Sequence, residues 1–467
     1  MIRAYRPFTT TVRALSLLMA ALAMFFASTA ALAQTMASSV SQHGITWEFD
    51  REYQVGRFIT GDYWVIGPVT ITYITRPNNN PERDGSMVNP MPSQSHGYSS
   101  RISNRYRDDL NVANQLPLTL PPDSSLVSTI SRDDSEPRPF VDVAAVLTVL
   151  DSAPRATAFR PPYSGNRKPI HDWNDVNLRL LLNLPRVPSA TESRIEAAKH
   201  AHSKPWIANV TEWQGVQHSR PRRNLPNYGR DAAARENETA LMLLLDIPEK
   251  DKEHIARGFI QTGIDHHELM MNGARWDGIG GGLGVGFKLP GLLAGVLLGD
   301  DEMKNFSVDH DPTWKFQDDS QIQRLTQELR DMTYTRSSGH DGYWDDIPLG
   351  TPVWVERGRR WETTGWVTVP GSIGYMVCCT TNATTGAALV VRLMGLESLW
   401  NHDPFLEWVD AYQGYPVDEF FDKQRRTDDW HFHWRRPFAQ EMWLSYREAA
   451  GNASRPSPPL PPSLVVE

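Results

Sequence analysis

The chain has 467 residues and a formal net charge of -8 at pH 7. An acidic surface argues against general nucleic-acid binding, because such binding needs many cations to neutralise phosphates. We therefore expect no nucleic-acid partner. The length suits two or three domains.

The first 33 residues have the pattern of a signal peptide. Three arginines precede a continuous apolar run that ends in the small-residue sequence Ala31-Leu32-Ala33. This order indicates cleavage before Gln34 and export to the periplasm or the medium. No later stretch is long and apolar enough to span a bilayer, so we expect no stable membrane insertion after the leader is cleaved.

The N-terminal part of the mature chain has strand-like patterning. Apolar and polar residues alternate within 45–75, and strand-forming runs follow at 124–130 and 141–150. These patterns predict a β-sandwich-like domain over 34–155 with antiparallel strands. Residues 156–228, which are rich in proline and basic residues, are interpreted as a connector.

Helical periodicity replaces the strand pattern from residue 229 onward. Apolar residues recur at helical spacing, which predicts a helical domain over 229–453. The tail 454–467 is rich in proline and is expected to be disordered. The predicted helices span 230–246, 250–271, 289–299, 320–331, 381–399 and 404–412. The fold class is therefore α+β, with the β domain first.

The strongest cluster of chemically useful residues lies between two predicted helices. His266 and His267 stand near the end of the first helix, and Asn272 follows where that helix stops. Trp276, a glycine run and Lys288 then lead into the next helix. Glycines allow close approach to the backbone, and a helix start with a lysine favours an anion.

Two further segments carry candidate residues. A polar aromatic loop contains Tyr343 and Trp344 beside the acidic pair Asp345 and Asp346. The acidic pair Asp318-Asp319 is a second source of carboxylate chemistry. Loops on a rigid scaffold often carry function.

The other segment opens at Tyr375 and ends near residue 403. Asn382 begins a predicted helix, Arg392 lies within it, and Trp400 and His402 stand at its end. We consider His402 a catalytic candidate and Asn382 and Trp400 substrate-binding candidates. No metal or cofactor is expected, because the paired histidines at 431 and 433 lack a third ligand nearby.

The segments 230–300 and 378–403 resemble the helical hairpins of secreted α/α-toroid polysaccharide-degrading proteins. The residues that carry the resemblance are Trp276, the glycine run 278–286, Lys288, the closing Leu-Leu-Gly-Asp, Cys378 to Asn382, and Trp400 to Asp403. The likeness is to alginate-lyase and heparinase-type lyases. One departure is that the β domain here precedes the helical domain, whereas many such lyases carry it afterwards.

The resemblance implies an (α/α) toroid-like helical domain and β-elimination on an acidic, uronic-acid polysaccharide. That reaction needs a group that neutralises the sugar carboxylate, a base for the C5 proton and an acid for the leaving oxygen. The candidates are Asn272 or Arg392 for the carboxylate, His267 or His266 for the base, Tyr375 or Tyr343 for the acid, and Trp276, Trp344 and Lys288 for flanking sugars.

Two alternatives remain open from the sequence. An inverting glycoside hydrolase on the same architecture would use paired carboxylates, such as Asp277 with Asp345. A non-catalytic glycan-binding envelope protein would keep the 16 tryptophans and need no histidine-rich cleft.

Overall fold

The computed structural model describes residues 35–133, 135, 138–226, 228–276, 282–310, 316–331, 348–359, 366–370, 380–414, 436–448 and 450. The predicted leader and the predicted proline-rich tail lie outside these ranges. Within them the chain is mixed, with a mostly antiparallel sheet first and a helical region after it, as the sequence predicts.

One sheet contains the N-terminal strands. They are β1 (Thr35–Gln42), β2 (Ile45–Arg57), β3 (Tyr63–Ile66), β4 (Val69–Ile74), β5 (Ser86–Val88), β6 (Leu118–Leu120), β7 (Ser124–Ser131) and β8 (Val141–Leu150). Their order is β5-β7-β8-β3-β2-β4-β6, with β1 also paired to β2. All described pairs in this sheet are antiparallel except β3 with β8.

Strand β8 is buried on both faces, which explains its almost uninterrupted apolar sequence. Alternate residues such as Val143 and Leu147 pack inside the sheet region. The residues between them, such as Ala144 and Val146, belong to the same hydrophobic core as the helices. Because side chains alternate across a strand, β8 joins the sheet to the helical region.

The helical region is built around two long helices. Its helices are α1 (Glu192–Ala201), α2 (Trp213–His218), α3 (Gly229–Leu243), α4 (Glu249–Met271), α5 (Lys288–Leu298), α6 (Asp301–Asp309), α7 (Gln317–Ser320), α8 (Gln327–Asp331), α9 (Asn382–Met394), α10 (Glu397–Trp400), α11 (Asp403–Gly414) and α12 (Pro437–Tyr446). The closest helix pairs are α4 with α5 and α3 with α9. In the described ranges no helix is long and apolar enough to cross a bilayer.

The predicted helix over 320–331 is wrong in its first half. Residues Ile322–Arg324 form strand β9, which pairs with β10 (Pro352–Arg359), and β10 pairs with β11 (Trp366–Pro370). Ile322 lies opposite Trp354 in this ladder, and both are buried. A partner strand 30 residues away therefore overrides the local helical pattern.

A buried ion triad ties the sheet to helix α4. The guanidinium of Arg160 is fully buried and lies 3.0 Å from Asp62 and 2.5 Å from Asp265. Asp62 follows β2 on the sheet side, whereas Asp265 is in α4. Burial alone would lower the pKa of Arg160, but the two carboxylates outweigh it and raise the pKa. The two carboxylates therefore stabilise the charged form of the buried Arg160.

Replacing Asp265 by alanine should destabilise the fold strongly. The variant leaves a buried guanidinium with one carboxylate, and breaking a buried pair costs about 3–5 kcal/mol. Urea unfolding measures the loss of free energy. The control is D109A, which breaks the exposed pair of Arg107 and Asp109 and should leave the free energy of unfolding nearly unchanged. Equal losses in the two variants would contradict a special role for the triad.

Candidate functional site

The end of the glycine run fixes the geometry of the site. Gly286 has a φ of +91°, a conformation that favours glycine. Its backbone N–H donates to both carboxylate oxygens of Asp318, at 3.0 and 3.2 Å. Two residues earlier, the N–H of Gly284 donates to Oε1 of Gln317 at 2.5 Å. The glycine segment and the start of α7 are thus held together by backbone donors.

Lys288 extends this link to a third segment. Its Nζ is fully buried and lies 2.6 Å from Oδ2 of Asp319 and 2.5 Å from the carbonyl oxygen of Trp400. The same ammonium stands 4.2 Å from the centre of the Trp400 ring. Burial lowers the pKa of Lys288, and Asp319 opposes that change. Lys288 therefore joins the starts of α5 and α7 to the end of α10.

Glu236 of α3 lies on the other side of Gly286. A Cβ atom added to Gly286 would come within 3.1 Å of Oε2 of Glu236 and 2.6 Å of the Ala233 methyl. The carboxyl groups of Glu236 and Asp318 therefore flank a residue that has no room for a side chain. Oε1 of Glu236 lies 3.8 Å from Nδ1 of His266 in α4.

Arg220 completes the group. Its Nη2 donates to the carbonyl oxygen of Leu283 at 3.1 Å. Its charge acts on both Glu236 and His266. We call these buried side chains the polar cluster. Its members are Arg220, Glu236, His266, Lys288, Asp318 and Asp319, each at most 3% exposed.

Burial sets the protonation states in the polar cluster. Desolvation, aided by Asp319, raises the pKa of Asp318 to about 7. Desolvation also raises the pKa of Glu236 well above its ordinary value. Burial lowers the pKa of His266 to about 3 and that of Arg220 to about 10. At neutral pH these shifts leave His266 an uncharged imidazole and Arg220 a guanidinium cation, and they favour the protonated form of Glu236 and Asp318.

Several polar atoms of the cluster lack a partner within the described chain. They are Nη1 of Arg220, Oε1 of Glu236 and Oδ1 of Asp319. A buried polar atom without a hydrogen bond costs about 1–3 kcal/mol. Together with the shifted pKa values of the same side chains, these atoms make the polar cluster a candidate functional site.

The two predicted histidines have different surroundings. His266 lies among aromatic rings, with Phe287 at 5.0 Å and Trp206 at 5.9 Å between ring centres. His267 points elsewhere, towards Phe306 at 6.1 Å, and burial lowers its pKa to about 4. Only His266 belongs to the polar cluster.

Asn272 ends α4, as predicted, and Gly273 follows with a φ of +92°. The side-chain nitrogen Nδ2 of Asn272 lies 3.4 Å from Oγ of Ser164 and 3.3 Å from Oε1 of Glu268. Asn272 is therefore turned towards the segment that follows the sheet. The described hydrogen bonds do not link it to the polar cluster.

The predicted substrate-binding residues Trp276 and Trp400 are fully buried. Trp276 stacks on Phe287 with 4.4 Å between ring centres, and Trp400 stacks on Phe405 at 4.8 Å. Other side chains therefore cover both indole rings in this structure. Their role in binding substrate stays a prediction.

The candidates in the later segment lie apart from one another. Asn382 is buried at the start of α9. Arg392 pairs with Asp410 at 2.9 Å and Glu397 at 3.5 Å. Nε2 of His402 lies 2.7 Å from the carbonyl oxygen of Ile322. These contacts describe structural anchors, and the catalytic and binding roles stay predictions.

Several predicted residues fall outside the described ranges. They are the acid candidates Tyr343 and Tyr375, the sugar-binding candidate Trp344, and the hydrolase carboxylates Asp277 and Asp345. In the part of the chain that is described, no group of three or more histidine, cysteine or acidic side chains is arranged to hold a metal ion.

Sequence reasoning missed Arg220 and Glu236. Glu236 did carry a signal, because it follows Ala233 by three residues and precedes Ala240 by four on the buried face of α3. An acid in such an apolar stripe indicates a buried carboxyl group. Arg220 stands in a basic, proline-rich stretch and gives no comparable signal.

No family model matches this chain, and neither the curated proteins nor the solved structures give a match.

The raised pKa of Asp318 should make stability depend on pH. The ordinary value is 3.8, so above about pH 4 the carboxyl ionises in the unfolded chain but keeps its proton in the fold until about pH 7. The contribution of the raised pKa to the free energy of unfolding is therefore complete below pH 4 and is lost as the pH rises towards 7. D318N removes this titration.

We expect the free energy of unfolding of the wild type, minus that of D318N, to fall between pH 4 and 7. The slope should reach at most roughly 1.4 kcal/mol per pH unit. Chemical denaturation at a series of pH values measures it, with D309N, an exposed aspartate of α6, as the control for loss of an acid. A difference that rises with pH over this range would contradict a neutral Asp318.

Proposed function

We propose that the chain is an exported enzyme that cleaves a uronic-acid polysaccharide by β-elimination, and that the polar cluster is its active site. The observation that carries the proposal is the close grouping of a neutral imidazole, a guanidinium and a protonated carboxyl group. These are the three kinds of group that the reaction needs. We also propose the toroid-like arrangement of the helical region on the strength of the sequence resemblance.

The roles follow from the charge states. Arg220, whose Nη1 has no hydrogen-bond partner among the described residues, binds the sugar carboxylate and stabilises the negative charge that develops beside C5. His266 is neutral at pH 7 and takes the C5 proton. The electrons of the C5–H bond form the C4–C5 double bond as the C4–O bond breaks. Glu236 gives its proton to the leaving oxygen.

The sugar has to reach groups that are covered in this structure, since Glu236 and His266 are each 1% exposed. The proposal therefore requires that the residues packed over the polar cluster move apart during turnover. Burial has a chemical advantage, because electrostatic stabilisation of the developing charge is stronger where water is excluded.

A second candidate function is glycoside hydrolysis at the same cluster. It is favoured by the placement of Glu236 and Asp318 on either side of Gly286. A hydrolase needs one protonated and one ionised carboxyl group. Burial raises the pKa of both groups here, whereas a hydrolase keeps the pKa values of its two carboxyl groups apart.

The test is the ultraviolet absorbance of the mature protein mixed with alginate, polyglucuronate, glycosaminoglycans or pectin. A rise shows that an unsaturated uronate forms. H266Q and E236Q should each lower the rate by about 10²–10⁴-fold, the usual contribution of a positioned acid or base. The control H254Q changes an exposed histidine of the same helix and should leave the rate unchanged.

The possible outcomes separate the functions. New reducing ends without ultraviolet absorbance would replace elimination by hydrolysis. A folded H266Q variant that keeps the wild-type rate would remove His266 from the mechanism. Binding without either product would indicate a glycan-binding protein.

A further inference from the structure

A cavity of about 290 Å³ lies between helices α1, α3 and α12. This volume stands just below the roughly 300–1,000 Å³ of typical ligand pockets, so it suits a molecule of monosaccharide size. Its lining combines three arginines and two acids with an apolar wall. The lining residues used below are Arg194, Asp231, Arg235, Glu238, Arg436 and Phe438.

Helix α3 presents one face to this cavity and the opposite side to the polar cluster. Asp231, Arg235, Glu238 and Met242 follow one another at spacings of four, three and four residues. Side chains at these spacings share a helix face. Glu236 belongs to a different face and points to Gly286. The cavity is therefore distinct from the polar cluster, although one helix supports both.

Two of the three arginines in the cavity have carboxylate partners. Arg194 lies 3.2 Å from Glu238, and Arg436 lies 2.5 Å from Asp231. Arg235 has a different environment: in the described chain its guanidinium donates to the carbonyl oxygen of Asn224 at 2.7 Å, and no carboxylate pairs with it. Among the described lining residues there is thus one more cation than there are carboxylates.

The guanidinium of Arg235, which carries the excess charge, is partly buried. Burial lowers the pKa of Arg235, the nearby positive charge of Arg436 lowers it further, and the charges of Glu238 and Asp231 only partly oppose these two effects. An anion placed between these two guanidinium groups would relieve their repulsion. Guanidinium forks bind carboxylates through paired hydrogen bonds, and the effect is stronger at partly buried positions.

The rest of the cavity suits a hydroxylated ring. Phe438 is fully buried beneath the guanidinium of Arg194, with 5.6 Å from that group to the ring centre. Ala197, Ala198 and Met242 extend the apolar wall. Asp231 and Glu238 offer acceptors for hydroxyl groups.

We infer that this cavity is a binding site for a single sugar acid, whose carboxylate lies between Arg235 and Arg436. The sugar-acid class rests on the proposed function, because an acidic-polysaccharide enzyme meets uronates as substrate ends and products. The site goes beyond that function, since none of its residues belongs to the polar cluster. It gives the protein a means of holding a uronate away from the reacting groups.

Isothermal titration calorimetry of the full mature chain with sodium glucuronate tests the inference. Glucose and inorganic phosphate are the comparison ligands. We expect glucuronate to bind and glucose to give no heat. We expect R235Q and R436Q each to weaken glucuronate binding at least tenfold. The matched control is R324Q, which removes an exposed arginine paired with Glu407 at 2.7 Å and should bind as the wild type does.

Thermal melting of each variant shows whether it is folded, and R235K tests the need for a planar fork, since lysine keeps the charge but not the paired donors. No heat with glucuronate in the wild type would overturn the inference. Equal binding of phosphate, or undiminished binding by a folded R235Q, would overturn it as well.

Different results would contradict the inferred binding site and the proposed function. H266Q should lose turnover and keep glucuronate binding. Turnover by a protein that binds no glucuronate would contradict the cavity alone. Glucuronate binding through Arg235 in a protein that turns over no polymer would contradict the proposed function alone.

Discussion

The arrangement of the helical region depends on one buried cation. Lys288 is fully enclosed, and a buried ammonium needs an opposite charge and hydrogen bonds to remain in the fold. Asp319 and the carbonyl oxygen of Trp400 supply them. Because the three groups come from separate segments, satisfying Lys288 brings the starts of α5 and α7 to the end of α10. Asp318 then reaches the Gly286 backbone, and the polar cluster takes its form.

The polar cluster weakens the fold locally, and other features compensate. In the described part of the chain, atoms without a partner on Arg220, Glu236 and Asp319 each carry a desolvation cost. Strand β8 offsets such costs by burying apolar residues on both faces. The Arg160 triad adds a fully paired ionic link between the sheet and α4.

Local patterns in the sequence predicted much of the fold. Alternation in β2 and β4, the apolar run of β8 and the helix end at Asn272 follow directly from periodicity and stop signals. Local patterns do not show which distant strands pair, so the sequence predicts helix where β9 forms. At the site, Lys288 and Asp319 were both singled out, but their ion pair joins residues 31 positions apart. Trp276 is predicted to hold a sugar, and in the structure its ring stacks on Phe287. Burial of an aromatic ring is a tertiary property that spacing does not determine.

The central claim is that the polar cluster binds a uronate and acts on it. A crystal structure of H266Q with a bound uronic-acid oligosaccharide tests it most directly, because the variant should hold the polymer without cleaving it. We expect a sugar carboxylate about 2.7–3.2 Å from Nη1 of Arg220, with the C5 atom of the sugar facing residue 266. Oligosaccharide bound elsewhere, with ordered water on the unpaired atoms of Arg220 and Glu236, would contradict it.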